Sequence, residues 1–337
     1  MNRSARKTGV LACQGRQASG LSEQPGRLSS DPTTPFTQPL SDMKLGRREF
    51  IAATAGAIAA ALAIPCNARA DEARPAATHS PALIDTNVSL SRWPFRRLPL
   101  DDTPALVAKL RANGVTQAWA GSFDALLHKD ISAVNARLSD ECARHGGGML
   151  IPFGALNPML PDWEEDLRRC AEIHKMRGVR LHPNYHGCKI SDPVFERVLQ
   201  LASERGLIVQ LAVSMEDERT LHPLVNVPPT DTAPLPALMK KFPHTRVQLL
   251  NAFRTIRGAP LQTLAKAGVR FEIATLEFVA GVGKMLAEID PATLLFGTGA
   301  PFYYPESSLL KLKESPLTDA QLAALSSENA RAFLGSR

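Results

Sequence analysis

Leu83-Ile84-Asp85-Thr86-Asn87-Val88 is an apolar, β-branched run that opens an alternation of strand-like and helix-like segments reaching almost to the end of the chain. Strands are expected over 83–88, 115–121, 150–156, 178–182, 208–213, 247–251, 269–274 and 293–297. Helical spacing marks 104–113, 131–145, 161–175, 193–205, 235–241, 260–267, 279–289 and 319–333. Gly114, Gly146, Gly178 and Gly206 stop the first four helices, and Pro stands near several starts, the usual asymmetry of helix ends. Strands that alternate with helices predict a parallel sheet with crossover helices.

The size fits that pattern. Residues 71–337 form a 267-residue stretch, close to the roughly 250 residues of one eight-stranded β/α barrel. The expected fold is therefore α/β, a single (β/α)8 TIM barrel over 71–337, with no repeat or linker to mark a second domain.

Ahead of it, Lys44-Leu45-Gly46-Arg47-Arg48-Glu49-Phe50 precedes an apolar run to Ile64 and then Ala68-Arg69-Ala70. A basic, an apolar and a small-residue region in that order read as an export signal over 44–70. The Arg47-Arg48 pair resembles a twin-arginine signal, which implies a folded protein delivered to the periplasm. The apolar run is shorter than the roughly 20 residues of a membrane helix. Residues 1–43, rich in Ser, Pro, Gly, Gln and Thr, read as a disordered leader or as sequence upstream of the true start, with Met43 as the candidate initiator.

The net charge of +6 belongs mostly to that leader: residues 1–70 hold nine Lys or Arg against four Asp or Glu, which leaves +1 for the remainder. Such a balance gives no basic footprint, so nucleic acid is not an expected partner. After signal removal no membrane partner is expected either. A small-molecule ligand is, and a homo-oligomer stands beside a monomer as a compatible state. Cys13 and Cys66 precede the barrel. Cys142, Cys170 and Cys188 would remain in an oxidising compartment, where an odd number leaves at least one thiol unpaired. Cys142 and Cys170 fall in helices as packing residues, and Cys188 lies in a loop where a thiol can react.

Three pieces carry a resemblance to the amidohydrolase-related family of metal-dependent hydrolases. They are Leu83-Ile84-Asp85-Thr86-Asn87, Gly178-Val179-Arg180-Leu181-His182-Pro183, and Leu295-Phe296-Gly297-Thr298-Gly299-Ala300-Pro301-Phe302 leading to Ser327-Glu328-Asn329-Ala330. The resemblance implies zinc or another divalent metal, a metal-bound water lowered in pKa, and a carboxylate that takes its proton. It also implies Asp-Thr-His-x-His on the first strand, where two imidazoles two residues apart face one ion. Here Asn87 and Ser89 stand at those places, an amide and a hydroxyl that are poor ligands for zinc. The fifth strand has no histidine, the sixth ends Leu250-Asn251-Ala252, and Gly299 stands where the catalytic Asp is expected. No metal or other cofactor is therefore expected at this site.

The mouth nonetheless collects polar residues at the carboxyl ends of strands, where barrel enzymes build their sites. His182 is the expected acid–base residue, with Asp85 or Asp217 as its orienting or proton-accepting partner and Arg180 as a clamp for an oxyanion or carboxylate. Asn87, Asn184, Tyr185, Asn251, Arg254 and Thr298 are expected to contact a ligand. Arg92-Trp93-Pro94-Phe95-Arg96-Arg97 offers either an aromatic wall with a guanidinium or a packed loop with surface ion pairs. Residues 214–234, long and without periodicity, are expected to form a lid or substrate wall. The phase of Glu272 in its strand is open, since one residue of slip turns it from the barrel to the helix layer. His186 and His222 are expected to be solvated in loops, and His128, His145, His174 and His244 to be surface or packing residues.

Three functions fit these residues. The first is an exported hydrolase-like enzyme acting on a small carboxylated or cyclic compound with a degraded metal site. The second is a non-catalytic periplasmic binding or accessory protein, and the third a decarboxylase or hydratase on the same barrel.

Overall fold

A computed structural model describes residues 82–335 except Pro223. The expected leader with Cys13, the expected signal segment with Cys66, and residues 71–81 of the expected domain lie outside the described residues. Eight parallel strands run in sequence order: β1 (Leu83–Leu90), β2 (Val115–Ser122), β3 (Leu150–Ala155), β4 (Gly178–Leu181), β5 (Ile208–Ala212), β6 (Arg246–Leu250), β7 (Arg270–Glu272) and β8 (Leu294–Leu295). β1 also meets the chain beyond β8, where the amides of Thr86, Ser89 and Gly299 bond to Phe296, Ala300 and Asn87 carbonyls. The sheet is thereby a nearly closed (β/α)8 barrel, as the alternation predicts.

The helices follow the strands: α1 (Thr103–Ala112), α2 (Ile131–Gly146), α3 (Trp163–Glu172), the short α4 (Pro183–His186), α5 (Pro193–Glu204), α6 (Leu235–Lys241), α7 (Gly258–Lys266) and α8 (Gly281–Glu288). Local chemistry sets their ends. Asp102 and Asp130 accept the amides of Ala105 and Ala133, and Gly147 closes α2 in the left-handed region.

Two departures concern helices. Pro305–Lys313 forms a helix, α9, that the sequence did not suggest. Its Ser307-Ser308 pair reads as loop chemistry, whereas Pro305 in fact occupies the first turn, where a missing N–H costs nothing. The final helix expected over 319–333 is divided into α10 (Asp319–Ala323), a π-helical turn (Ala324–Glu328) and α11 (Asn329–Leu334).

The barrel interior is layered. At its amino-terminal end Ile84, Trp119, Phe153, Ile208 and Leu295 pack with Phe333 of α11. Trp119 and Phe153 stack with ring centroids 5.0 Å apart, worth about 1 kcal/mol beyond their burial. Above this floor the interior turns polar. β1 changes register against β2 between Asp85 and Val88, so Thr86 bonds to Gln248 while Asn87 also reaches interior partners. Gln210 Nε2 donates to the Thr86 carbonyl and to Gln248 Oε1. The larger apolar core lies between the strands and the helix ring.

Candidate functional site

Arg180 of β4 crosses the interior and is 2% exposed. Its Nε donates to Gln210 Oε1 at 2.9 Å, Nη1 to the Val88 carbonyl at 2.9 Å and Ser89 Oγ at 3.1 Å, and Nη2 to the Trp119 carbonyl at 3.3 Å. Four of the five guanidinium N–H groups are thus directed at the protein. Gly121 makes room, since a Cβ there would lie 2.7 Å from Nη1. Among the described residues no carboxylate hydrogen-bonds the guanidinium, and burial pulls its pKa down to about 10.

Asp85 is fully buried beside β8, where its carboxylate accepts the Thr298 hydroxyl at 2.5 Å and the amides of Thr298 and Asn87 at 3.0 Å each. Burial outweighs these bonds and pushes its pKa up to about 7. Asp85 hydrogen-bonds neither His182, the partner the sequence suggested, nor Arg180. Thr298 is equally buried and turned to Asp85.

Glu272, whose phase the sequence left open, faces inward and is fully buried. It accepts the Asn251 amide at 2.6 Å, the Asn87 side-chain amide at 3.1 Å and the Ala274 amide at 2.5 Å. Burial raises its pKa as well. Asn251, held at φ 55°, receives Asn87 Nδ2 on Oδ1 at 3.0 Å and donates Nδ2 to the Ser214 carbonyl.

His182 follows β4 and is 2% exposed, and its Nδ1 has no hydrogen-bond partner. Burial first, and then the charges of His186 and Arg180, hold its pKa well below the ordinary value, so the ring is neutral. His186, expected to be solvated, packs edge-on against it at 6.0 Å and contacts the Ala125 carbonyl through Nε2 at 3.0 Å.

These side chains divide between two spaces. An inner cavity of about 10 Å³ is lined by Asn87, Ser89, Arg180, His182, Asn251 and Gly299 with apolar neighbours, which is about the room of one water. Over it sits an aromatic roof in which Trp93 packs at 4.7 Å on Phe302 and at 5.3 Å on Phe123. An outer groove of about 320 Å³ lies over the ends of β5 to β7 and includes Asn184, Tyr185, Glu216, Asp217, Arg254 and Arg257.

The expected ligand contacts are therefore separated. Asn87, Arg180, His182 and Asn251 line the inner cavity, Asn184, Tyr185, Asp217 and Arg254 line the groove, and the buried Asp85 and Thr298 line neither. Asp217 is paired with Arg219 at 2.5 Å and Arg254 at 2.6 Å, and its bond to Arg219 keeps it well below the usual carboxylate range. The loop after β1 takes the packed alternative, with Trp93 buried, Arg96 on Glu216 at 2.8 Å and Arg97 on Asp101 at 2.5 Å. Residues 214–234 wall the groove through Met215, Val227 and Pro229. Cys142, Cys170 and Cys188 are buried free thiols, all raised by burial, Cys188 to about 11. The loop thiol thus lacks the lowered pKa of a reactive cysteine.

The donors present do not fit the family's metal. Among the described residues no three His, Cys, Asp or Glu are placed to share an ion. Asn87 turns its NH2 to the two interior acceptors, and a guanidinium already occupies the barrel centre. At Gly299, with φ 67°, a Cβ would lie 2.6 Å from the Tyr303 ring, so Tyr303 fills the space of an expected carboxylate.

A family profile described as amidohydrolase matches residues 91–336, beginning directly after β1. No curated protein matches the chain. Among solved structures, 2,6-dihydroxybenzoate decarboxylase from Rhizobium is 14% identical with a TM-score of 0.59, covering 75% of this chain and 98% of that one. The 5-carboxyvanillate decarboxylase of Novosphingobium aromaticivorans, complexed with manganese, is 11% identical with a TM-score of 0.59, covering 76% and 96%. The apo IDCase of Metarhizium anisopliae is 14% identical with a TM-score of 0.57, covering 76% and 97%. At these identities the likeness is one of fold, and the profile supplies the family: the chain belongs to the amidohydrolase family.

Proposed function

We propose that this protein is an exported, hydrolase-like member of its family that acts on a small carboxylated or cyclic compound by proton transfer through His182, without the family's metal. The observation that carries this reading is the neutral His182 ring, buried at the end of β4 with an unpartnered Nδ1, facing a one-water cavity beside a guanidinium.

In a hydrolytic step the water oxygen bonds to the substrate carbonyl carbon while its proton passes to the imidazole. Collapse of that adduct breaks the carbonyl bond to the leaving group, which takes the proton from the imidazolium. Arg180 supplies a fixed positive field to the developing oxyanion, and its one uncommitted N–H is available to bond it. Asp85 supports this wall through Thr298 and the Asn87 backbone, and Asp217 holds Arg254 in the groove.

A screen of activated esters, lactones and amides, with products identified by mass spectrometry, tests the reading. Turnover that survives His182→Ala unchanged would remove His182 from its role. Release of carbon dioxide from carboxylated aromatic compounds would move the reading to a decarboxylase, the activity named for two of the fold relatives. A non-catalytic periplasmic binding protein is the second reading, favoured by an inner cavity too small for a substrate. Ligand-induced stabilisation without product would support it.

A further inference from the structure

Among the described residues Met215 is the one that lines both the outer groove and the inner cavity. It is 6% exposed and packs in the aromatic cluster with Trp93 and Phe123, beside Tyr185 and Phe302. The chain on either side of it is pinned. Ser214 exchanges hydrogen bonds with Asn251, Oγ donating to its carbonyl at 3.1 Å and the Ser214 carbonyl accepting Nδ2 at 2.9 Å. Glu216 accepts Arg96 Nη2 at 2.8 Å and Nε at 3.2 Å, and Asp217 is held by Arg219 and Arg254.

With both neighbours anchored in this way, the thioether arm is the part with freedom to turn. Methionine is unbranched with three rotatable bonds, so it can fill a partition in one rotamer and clear it in another. Buried polar atoms without partners lie on both sides of this partition, Nδ1 of His182 in the cavity and Oδ1 of Asn184 in the groove, with Nε1 of Trp93 in the cluster where Met215 packs. Such atoms are costly in a closed apolar wall and useful beside a passage that admits a polar group.

We propose that Met215 is a specificity-determining partition, whose side chain separates the ligand groove from the His182 cavity and turns aside to admit the reacting end of a small compound. The inner walls set what passes. Ala212, Leu250 and Phe302 are apolar, and Asn87, Arg180 and His182 are polar, so the admitted end is a flat carbonyl or carboxyl group on a narrow apolar carrier. The choice of carrier rests on the proposed function, whereas the partition itself does not.

The test needs no substrate. Diethyl pyrocarbonate transfers a carbethoxy group to a neutral imidazole nitrogen that it can reach, releasing carbon dioxide and ethanol, and mass spectrometry reads each histidine of the whole protein separately. The exposed His128 and His222 serve as internal references. Met215→Ala is expected to speed His182 labelling about ten-fold or more with the references unchanged, while Met215→Leu stays within about two-fold of the parent. Unchanged His182 labelling in a folded Met215→Ala protein overturns the proposal. Should all histidines accelerate alike, Met215→Val replaces it, with ten-fold selective labelling as support and an unchanged rate as refutation. Loss of turnover in His182→Ala tests the catalytic reading separately, so either can fail alone.

Discussion

Asp85→Asn should make the protein more stable above neutral pH and leave it nearly unchanged in acid. The Asp85 carboxyl titrates near 3.8 in an unfolded chain and near 7 in the fold, because burial beside β8 outweighs the bonds from Thr298 and Asn87. A folded pKa raised above the unfolded one means that the fold binds the extra proton between these values, so the contribution is fully present below 3.8 and is lost as pH climbs to about 7. That span corresponds to about 4 kcal/mol at 1.36 kcal/mol per pH unit, an upper figure for one buried group. An amide reproduces the protonated carboxyl. Its oxygen keeps the two backbone amides now within 3.0 Å, and its NH2 donates to Thr298 Oγ, which already accepts the Ala300 amide. Rearranging that hydroxyl costs about 1 kcal/mol. Urea unfolding of both proteins, followed by tryptophan fluorescence at pH 4 and pH 8, should therefore show a difference within about 1 kcal/mol in acid and about 3 kcal/mol in favour of the variant at pH 8. Because only the difference is read, titration of other buried groups cancels. A variant less stable than the parent by the same amount at both pH values would refute the reasoning and mean that Asp85 is ionised throughout.

The remaining predictions concern the same interior. Gly121→Ala should cost about 2 to 4 kcal/mol in the same urea assay, since a Cβ 2.7 Å from Arg180 Nη1 both overpacks and displaces a four-bond guanidinium; a loss under about 0.5 kcal/mol would mean that Arg180 moves freely. His182 is held neutral, so its contribution is present above the ordinary histidine pKa of 6.5 and is lost as pH falls below it. His182→Gln should therefore flatten the loss of stability between pH 6.5 and 5, and an unchanged slope would contradict that. Prolonged treatment with a strong chelator should leave the midpoint of thermal unfolding within about 1 °C, because the donors do not fit a structural metal. Elemental mass spectrometry showing near one zinc, iron or manganese per chain, lost together with stability on chelation, would overturn it.

Strand positions were legible because each buried strand is a short apolar run between turn residues, and the carboxyl ends of those strands named the inner set of Asn87, Arg180, His182 and Asn251. Strand ends on the mouth side were less so. The runs expected over 269–274 and 293–297 shorten to Arg270–Glu272 and Leu294–Leu295, because backbone groups beyond them bond elsewhere. Glu272 takes the amide of Ala274, and the Phe296 carbonyl accepts from Thr86 of β1. Periodicity could not give Glu272 its phase in a strand of three residues. Nor could it show that Asp217 and Arg254 belong to a different space from His182, since the wall between them is a loop methionine placed by long-range contacts. The isolated Gly121 in a strand was the signal available and unused: a strand glycine marks the close approach of another group, here the Arg180 side chain.

The interior departs from a metal centre in its charge logic as well as in its ligands. A divalent ion holds surrounding carboxylates ionised and supplies hydroxide near neutral pH. In this barrel the four buried groups around the inner cavity are pushed the other way. Burial raises Asp85 and Glu272, and lowers Arg180 and His182. The positive centre is a guanidinium fixed by oxygen acceptors of the chain, none of them a carboxylate. A fixed cation of this kind polarises a carbonyl without exchanging ligands, and a neutral imidazole beside it can take a proton that no carboxylate in contact competes for. The arrangement suits proton transfer among weakly ionised groups and activated substrates, where catalysis rests on placement and field more than on a strong nucleophile.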